Sequence, residues 1–478
     1  MAFYDNFQQF GEKIACIDSA GNSLDYQTLN TLSGSLGAQL KPRSLVVLLC
    51  ENSIGSILGY VSFLRQGSVP ILLDKNMEKD LRCALIERYR PNYLYVPADL
   101  SGQIKEEYPE AECVWTDWQY DLYFLNAEPH TLYPDLALLL TTSGSTGSPK
   151  LVRQSYRNIQ ANALSIAEYL KITANDRPIT TLPMNYTYGL SIINSHLLTG
   201  ATILVTEHTL MQREFWNFFK TEQAMTFGGV PYTYEILKKL RFFRMDLPSL
   251  RYMTQAGGKL SKELHKEFAE YAKEQGKQFT IMYGQCEATA RMSYLPAEYA
   301  IEKCGSMGIA IPGGRFELID GEGKVITESE VDGELVYYGE NVTLGYAECI
   351  EDLQKGDERF GRLETGDIAK RDVDGFYYIV GRKKRFLKIF GNRVNLDEIE
   401  AFVKKQITQG ECACGGVDDK LYVFLTEFTE TLQTDIKKLL AEKTGLNPSA
   451  FTVKAIDEIP KNEAGKTLYK ELEKYLSE

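Results

Sequence analysis

The chain has 478 residues, 44% of them hydrophobic and 25% charged, which is room for more than one domain at roughly 100–200 residues each. Its formal net charge of −12 argues against a nucleic-acid scaffold, which carries a basic face. No apolar run approaches the roughly 18 residues of a membrane span, and the opening MAFYDNFQQF lacks the basic and apolar regions of a signal peptide, so no nucleic acid, no membrane span and a cytoplasmic location are expected.

The first third alternates strand and helix patterns. SLVVLLC (44–50) reads as a buried strand, SIGSILGYVSFLRQG (53–67) as a helix closed by Gly67, and VPILLD (69–74) as the next strand. Such alternation predicts an α/β fold with a largely parallel sheet. LALLL (136–140) is a further strand. Ser155 can cap a helix whose apolar positions Ile159, Ala163, Ile166 and Leu170 keep helical spacing. Between them lies TTSGSTGSPK (141–150), read as a glycine-rich turn from strand to helix, where ligands of α/β folds tend to sit. A flexible linker is the competing reading, but linkers rarely join two well-patterned elements so tightly.

From about 305 to 380 the pattern is β-rich, with RFELID, GELVYYG and GFYYIVG broken by glycines. The tail reads as strand 421–428, helix 434–445, strand 451–456 and helix 467–476, a compact α/β unit. The expected organisation is therefore a large domain over 1–383 and a small C-terminal domain over 384–478.

Nine cysteines without a CxxC pair suit reduced thiols, and CAC (412–414) lacks metal-ligand spacing. The four histidines, His130, His196, His208 and His265, are scattered, which disfavours a zinc hydrolase or a Ser-His-Asp enzyme. A P-loop requires G-x-x-x-x-G-K-[ST]; SGSTGSPK does not fit it, and AGKT (464–467) has Pro460 where the first glycine belongs.

TTSGSTGSPK instead resembles the phosphate-binding signature of the adenylate-forming superfamily, which includes acyl-CoA synthetases, aryl-acid ligases and peptide-synthetase adenylation domains. The resemblance continues in order through LDYQTLNTLSGSLGAQL (24–40), ENSIGSILGYVSFLRQGSVPILLD (51–74), LPMNYTYGL (182–190), QAGGKL (255–260), MYGQCEAT (282–289), DGELVYYGENVTLGY (332–346), LETGDIAKRDVDGFYYIVGR (363–382), KIFGNRVNLDEIE (388–400) and IPKNEAGKTLYK (459–470). It implies a large adenylate-forming domain of sheets and helices with a β-rich part, followed by a small mobile C-terminal domain. It also implies ATP-dependent activation of a carboxylic acid to an acyl-adenylate, with pyrophosphate release. The acyl group would then pass to the thiol of CoA or of a phosphopantetheinyl carrier protein.

On that resemblance Thr142, Ser143, Gly144, Ser145, Thr146, Gly147 and Lys150 hold the ATP phosphates. Hydroxyls and glycine-exposed N–H groups suit phosphate oxygens, and Lys150 adds a point charge. Glu287 is the Mg²⁺ ligand, a hard carboxylate for a hard cation. Tyr283, Gly284, Gly257 and Gly258 line the adenine, and Asp367 and Arg382 serve the ribose and phosphates. Cys286 stands where the family has threonine against the α-phosphate, and a thiol is the weaker donor. Tyr186, Thr187, Gly189 and Gly229 line the acyl pocket. Gly189 replaces the aspartate that pairs an amino acid's ammonium, so an α-amino acid is disfavoured. Lys466 bridges carboxylate and α-phosphate as the catalytic cation. Lys384 is the hinge for a domain rotation that withdraws it, and Gly391 leaves room for the thiol arm. Two alternatives keep the first-step motifs: transfer to a non-thiol acceptor, and a catalytically weak nucleotide-binding relative.

Overall fold

The computed structural model describes residues 2–5, 7–125, 130–141, 150–389, 392–417, 419–461, 465 and 467–476. The described chain is mixed α/β and forms two compact units. The first comprises Met1–Arg315 and Tyr338–Leu363, the second Phe316–Tyr337 and Glu364–Glu478.

The first unit is organised by an eight-stranded sheet. Its order runs from Gly345–Ala347 through Leu151–Ser155, Leu136–Thr141, Val69–Asp74, Leu45–Cys50, Tyr93–Pro97 and Tyr120–Phe124 to Glu112–Asp117. The continuous apolar run Leu45–Cys50 is explained by burial on both faces. Val46, Leu48 and Cys50 pack with the helices Tyr26–Gly37 and Ile54–Gln66, while Leu45, Val47 and Leu49 pack with the helix Lys79–Tyr89. Cutting one such buried leucine to alanine costs about 2–5 kcal/mol. Helix Ile54–Gln66 starts on the Ser53 side chain, which accepts from the Ser56 amide, and stops at Gly67 in the left-handed region at φ 74°.

The expectation of a largely parallel sheet is corrected. Only the central pairings, linking Leu136–Thr141, Val69–Asp74, Leu45–Cys50 and Tyr93–Pro97, are parallel; the two at each flank are antiparallel. The reading of 141–150 as a direct strand-to-helix turn is corrected as well. Leu151–Ser155 is itself a strand, antiparallel to Leu136–Thr141 with Leu140 opposite Val152, so the segment joins two neighbouring strands. The polar pair Arg153–Gln154 hid this strand. Arg153 is fully buried because its guanidinium is consumed by the carbonyls of Tyr346, Leu344, Lys355 and Gly356 and by the Glu358 carboxylate. Ser155 then caps the helix Tyr156–Tyr169 as expected, in a capping box with Asn158.

A second sheet in this unit places Thr226–Gly229, Tyr252–Gln255 and Gln278–Tyr283 in parallel, followed by the antiparallel strands Ser293–Tyr294 and Ile309–Ala310. The second unit holds a four-stranded sheet (Arg315–Ile319, Gly333–Tyr338, Arg362–Arg371, Tyr377–Arg382) and a three-stranded one (Cys412–Val417, Lys420–Leu425, Phe451–Ala455). Its first strand, CACGGV, escaped a composition-based reading because two glycines interrupt it. The last helix spans only Tyr469–Leu472 before a 3₁₀ turn, since Thr467 and Leu468 are taken by a bridge to Lys461 and a bond to the Pro460 carbonyl.

Candidate active site

The parallel strands of the second sheet end together: Gly229 lies opposite Gln255, and Gln255 opposite Ile281, two residues before Tyr283. Gly229, the segment Ala256–Gly258 and Tyr283–Gly284 therefore share the carboxyl edge of one parallel sheet, the usual ligand edge of such folds. Tyr186 lies over this edge, its hydroxyl 2.6 Å from where a Cβ on Gly257 would stand. Burial pushes that phenol's pKa well up.

Beyond Tyr283 the chain makes a tight turn carrying Glu287 in the 3₁₀ helix Cys286–Ala288. An ideal Cβ at Gly284 would stand 1.5 Å from the Ala290 carbonyl oxygen, so only glycine fits. Thr289 and Ala290 carry φ of 50° and 85°, which costs such residues of order 1–3 kcal/mol. The strain is held by Asn341, whose side-chain amide donates to the Ala288 and Arg291 carbonyls at 2.7 and 3.0 Å while its main-chain carbonyl accepts from Thr289 Oγ1 at 2.8 Å.

The turn delivers Glu287 to a cationic aromatic cluster. The Tyr346 hydroxyl donates to Glu287 Oε1 at 2.7 Å. Lys150 Nζ sits 3.5 Å from the centroid of the Tyr346 ring, and the Arg359 guanidinium 4.7 Å from the same centroid. Arg359 also donates to the Glu287 carbonyl at 3.1 Å and to Thr343 Oγ1. Burial and the Glu287 carboxylate raise the Tyr346 pKa, so the phenol stays a donor. Glu287 Oε2 takes no hydrogen bond among the described residues, which leaves one hard oxygen for a cation. No group of three or more His, Cys, Asp or Glu side chains with metal-binding geometry occurs among the described residues. A single open carboxylate oxygen fits a Mg²⁺ whose other ligands are phosphate oxygens and water.

Cys286 is buried, with Sγ 3.2 Å from Thr187 Oγ1. Two positions expected in separate roles, α-phosphate and acyl pocket, are thus in contact. Thr187 opens the buried helix Thr187–Thr199. On the same helix Gly189 stands against main chain: a Cβ there would lie 2.3 Å from the Pro183 carbonyl oxygen and 3.0 Å from that of Leu182. No aspartate fits that backbone.

In the second unit Asp367 and Arg382 are register partners on neighbouring antiparallel strands, with Arg382 Nε 3.4 Å from Asp367 Oδ1. Arg385 is buried against Asp397 and Glu400, and its guanidinium lies 3.5 Å from the Tyr469 ring centroid. The Tyr469 hydroxyl returns to the Glu400 carboxylate at 3.0 Å. Lys384 is described in its main chain only, in the 3₁₀ turn Lys383–Arg385. Thr142, Ser143, Gly144, Ser145, Thr146, Gly147, Gly391 and Lys466 lie outside the described residues. Tyr346, Arg359 and Thr343 were missed by sequence reasoning. Tyr346 stands in the quoted LGY segment, which was read only for its strands, and Arg359 carries no motif signal.

Among the described residues no helix is long and apolar enough to cross a membrane. A family model described as AMP-binding enzyme matches residues 3–347. The oxalate–CoA ligase of Arabidopsis thaliana is 28% identical over 344 residues, 70% of this chain and 66% of that protein. A 2-succinylbenzoate–CoA ligase of Geobacillus sp. is 30% identical over 296 residues, 61% of this chain and 57% of that protein. The alignments thus span less than two thirds of either relative. The O-succinylbenzoate coenzyme A synthetase of Bacillus subtilis, solved with AMP, matches with a TM-score of 0.80 at 21% identity, over 99% of this chain and 98% of that one. The two share a fold.

Proposed function

The chain belongs to the AMP-binding enzyme family, and from that premise we propose that it is an acid–thiol ligase. It joins a carboxylic acid to ATP, releases pyrophosphate, and passes the acyl group from the adenylate to a thiol. The observation that carries this reading is the Glu287–Tyr346–Lys150 cluster beside the carboxyl edge of the parallel strands.

Both reactants are anions, so the first step needs charge neutralisation and alignment more than acid–base chemistry. Lys150, with Thr142–Gly147, takes the β- and γ-phosphates. Glu287 Oε2 would hold Mg²⁺, which supplies charge neutralisation on the phosphates when bound. Tyr346 and Arg359 fix the glutamate and screen its charge. Tyr283, Gly284 and Gly257–Gly258 seat the adenine, and Asp367 accepts from the ribose hydroxyls beside Arg382. Thr187 offers the hydroxyl that Cys286 lacks for the α-phosphate, which favours a working enzyme over a weak nucleotide binder. Lys466 stabilises the charge shared by attacking carboxylate and α-phosphate, and does not act as a base because the acid is already ionised. Lys384 is the proposed hinge between 1–383 and 384–478, and Gly391 the passage for the thiol arm.

The acyl pocket, with Tyr186, Thr187 and Gly229, is read as taking an aryl or aliphatic acid. An α-amino acid is disfavoured because position 189 has no room for a counter-anion. CoA is preferred to a carrier protein as acceptor, since the two relatives described above are named as CoA ligases. A cytoplasmic location goes with that choice. The test is AMP formation by the purified protein with acid alone and with acid plus CoA. Acid-dependent AMP formation accelerated by CoA supports the reading; AMP formation indifferent to CoA points to a carrier protein or a non-thiol acceptor.

A further inference from the structure

Arg291 lies eight residues beyond Tyr283 and is 2% exposed, one of the two largest fully buried side chains together with Arg153. The two differ in how their charge is met. Arg153 has the Glu358 carboxylate. Arg291 has no carboxylate within ion-pair distance among the described residues. Its Nε donates to Ser191 Oγ at 3.1 Å, and its Nη1 to the Tyr169 hydroxyl at 3.1 Å and to Met282 Sδ at 3.2 Å. Its carbon Cζ lies 5.0 Å from the Tyr188 ring centroid. Nη2 takes no hydrogen bond among the described residues.

Taking a cation out of water costs several kcal/mol unless an anion and further hydrogen bonds offset it. Neutral hydroxyls, a thioether and an aromatic face meet only part of that cost. The surroundings are the apolar cluster of Leu182, Tyr188, Ile192, Val230 and Met282, and Tyr186, an acyl-pocket residue of the proposed reading, packs against it. Along the helix Thr187–Thr199, Ser191 stands one turn beyond Thr187, about 6 Å at 1.5 Å per residue. Thr187 touches Cys286 near the reacting end; Ser191 touches Arg291.

We propose that Arg291 recognises a second carboxylate on the substrate, so that the acid is a short dicarboxylic acid, aliphatic or aryl, reacting at one end and anchored at the other. The reacting end rests on the acid-activating reading above; the anchoring end rests on Arg291. The dicarboxylate would take Nη2 and complete the ion pair that the protein leaves open. An α-amino group is not involved, and neither carboxylate changes protonation.

The experiment compares each aliphatic monocarboxylic acid of four to seven carbons with the dicarboxylic acid of the same carbon number, and benzoic acid with the benzenedicarboxylic acids. It uses the full chain as wild type, Arg291→Met and Arg291→Gln, and reads both binding by calorimetry and acid-dependent ATP–pyrophosphate exchange. The wild type is expected to prefer one dicarboxylate by about 100-fold, as for a buried charge given or denied its partner, and Arg291→Met to lose or invert that preference. Binding that depends on Arg291 without exchange upholds the anchoring and removes the acid-activating reading. Exchange with monoacids, equal to or better than with dicarboxylates and unchanged in the variants, keeps the activation and overturns the anchoring. Failure of every dicarboxylate to bind also overturns it. Should neither variant fold, the wild-type ratio decides alone.

Discussion

The Tyr346 hydroxyl donates to Glu287 Oε1 at 2.7 Å, and the opposite demand on the same ring comes from Lys150, 3.5 Å from its centroid. One phenol thereby sets both the proposed metal ligand and the proposed phosphate lysine. A hydrogen bond to a charged group is worth about 1.5–3 kcal/mol. Tyr346→Phe keeps the ring and removes the donor. It should raise the Mg²⁺ concentration needed for half-maximal exchange about tenfold while leaving thermal stability near that of wild type. An unchanged Mg²⁺ dependence would show that Glu287 is positioned without Tyr346.

How much of this was legible in the sequence differs from residue to residue. The buried strand at 44–50, the helix stop at Gly67 and the Ser155 cap follow from local chemistry and were readable. Strand Leu151–Ser155 was not, because Arg153 looks like a surface residue until the distant carbonyls of 344–356 and Glu358 come to it. The placing of Glu287 could be guessed from its motif, but the Tyr346 partner is 59 residues away, and no local pattern announces a contact made by tertiary packing. Arg291 was hidden for the same reason: a buried, acid-free guanidinium cannot be told from an exposed one in a string of letters.

Cys286 Sγ and Thr187 Oγ1 stand 3.2 Å apart. If the thiol weakens the contact to the α-phosphate, Cys286→Thr should raise the adenylation rate a few-fold, roughly three- to tenfold for one improved hydrogen bond of about 1 kcal/mol. Thr187→Val should lower it by a similar factor or more. A faster Thr187→Val variant would remove Thr187 from that role.

Gly189 meets the Pro183 carbonyl oxygen at 2.3 Å from its absent Cβ. Gly189→Ala should therefore destabilise by about 1–3 kcal/mol, as overpacked sites do, and Gly189→Asp by more. Neither substitution should confer amino-acid activation. Equal melting temperatures for wild type and Gly189→Ala would show that the segment Leu182–Pro183 yields freely.

His196 is buried and satisfied as a neutral ring: Nδ1–H donates to the Ile192 carbonyl at 2.7 Å, and Nε2 accepts from the Tyr252 hydroxyl at 3.4 Å. Burial lowers its pKa from 6.5 to about 4, and burial likewise lowers His265 to about 4. A depressed histidine means that the unfolded chain binds the extra proton first. The stability is fully present above about pH 6.5 and is lost as the pH falls from there toward 4, on the order of 3 kcal/mol for His196. The melting temperature should decline over that window, and His196→Gln should flatten the decline. A wild-type melting temperature constant between pH 7 and 5 would contradict this.

The central claim is carboxylate activation, and ATP–pyrophosphate exchange measures it without regard to the acceptor. The wild type should exchange label only when a suitable carboxylic acid is present, with no response to α-amino acids. Glu287→Gln and Lys466→Ala should each lose about 100- to 1000-fold, the cost of removing a principal stabiliser of transition-state charge. Exchange that proceeds without acid, or that survives both substitutions, would contradict the account, as would a protein that binds ATP and exchanges with no acid across aryl, monocarboxylic and dicarboxylic series.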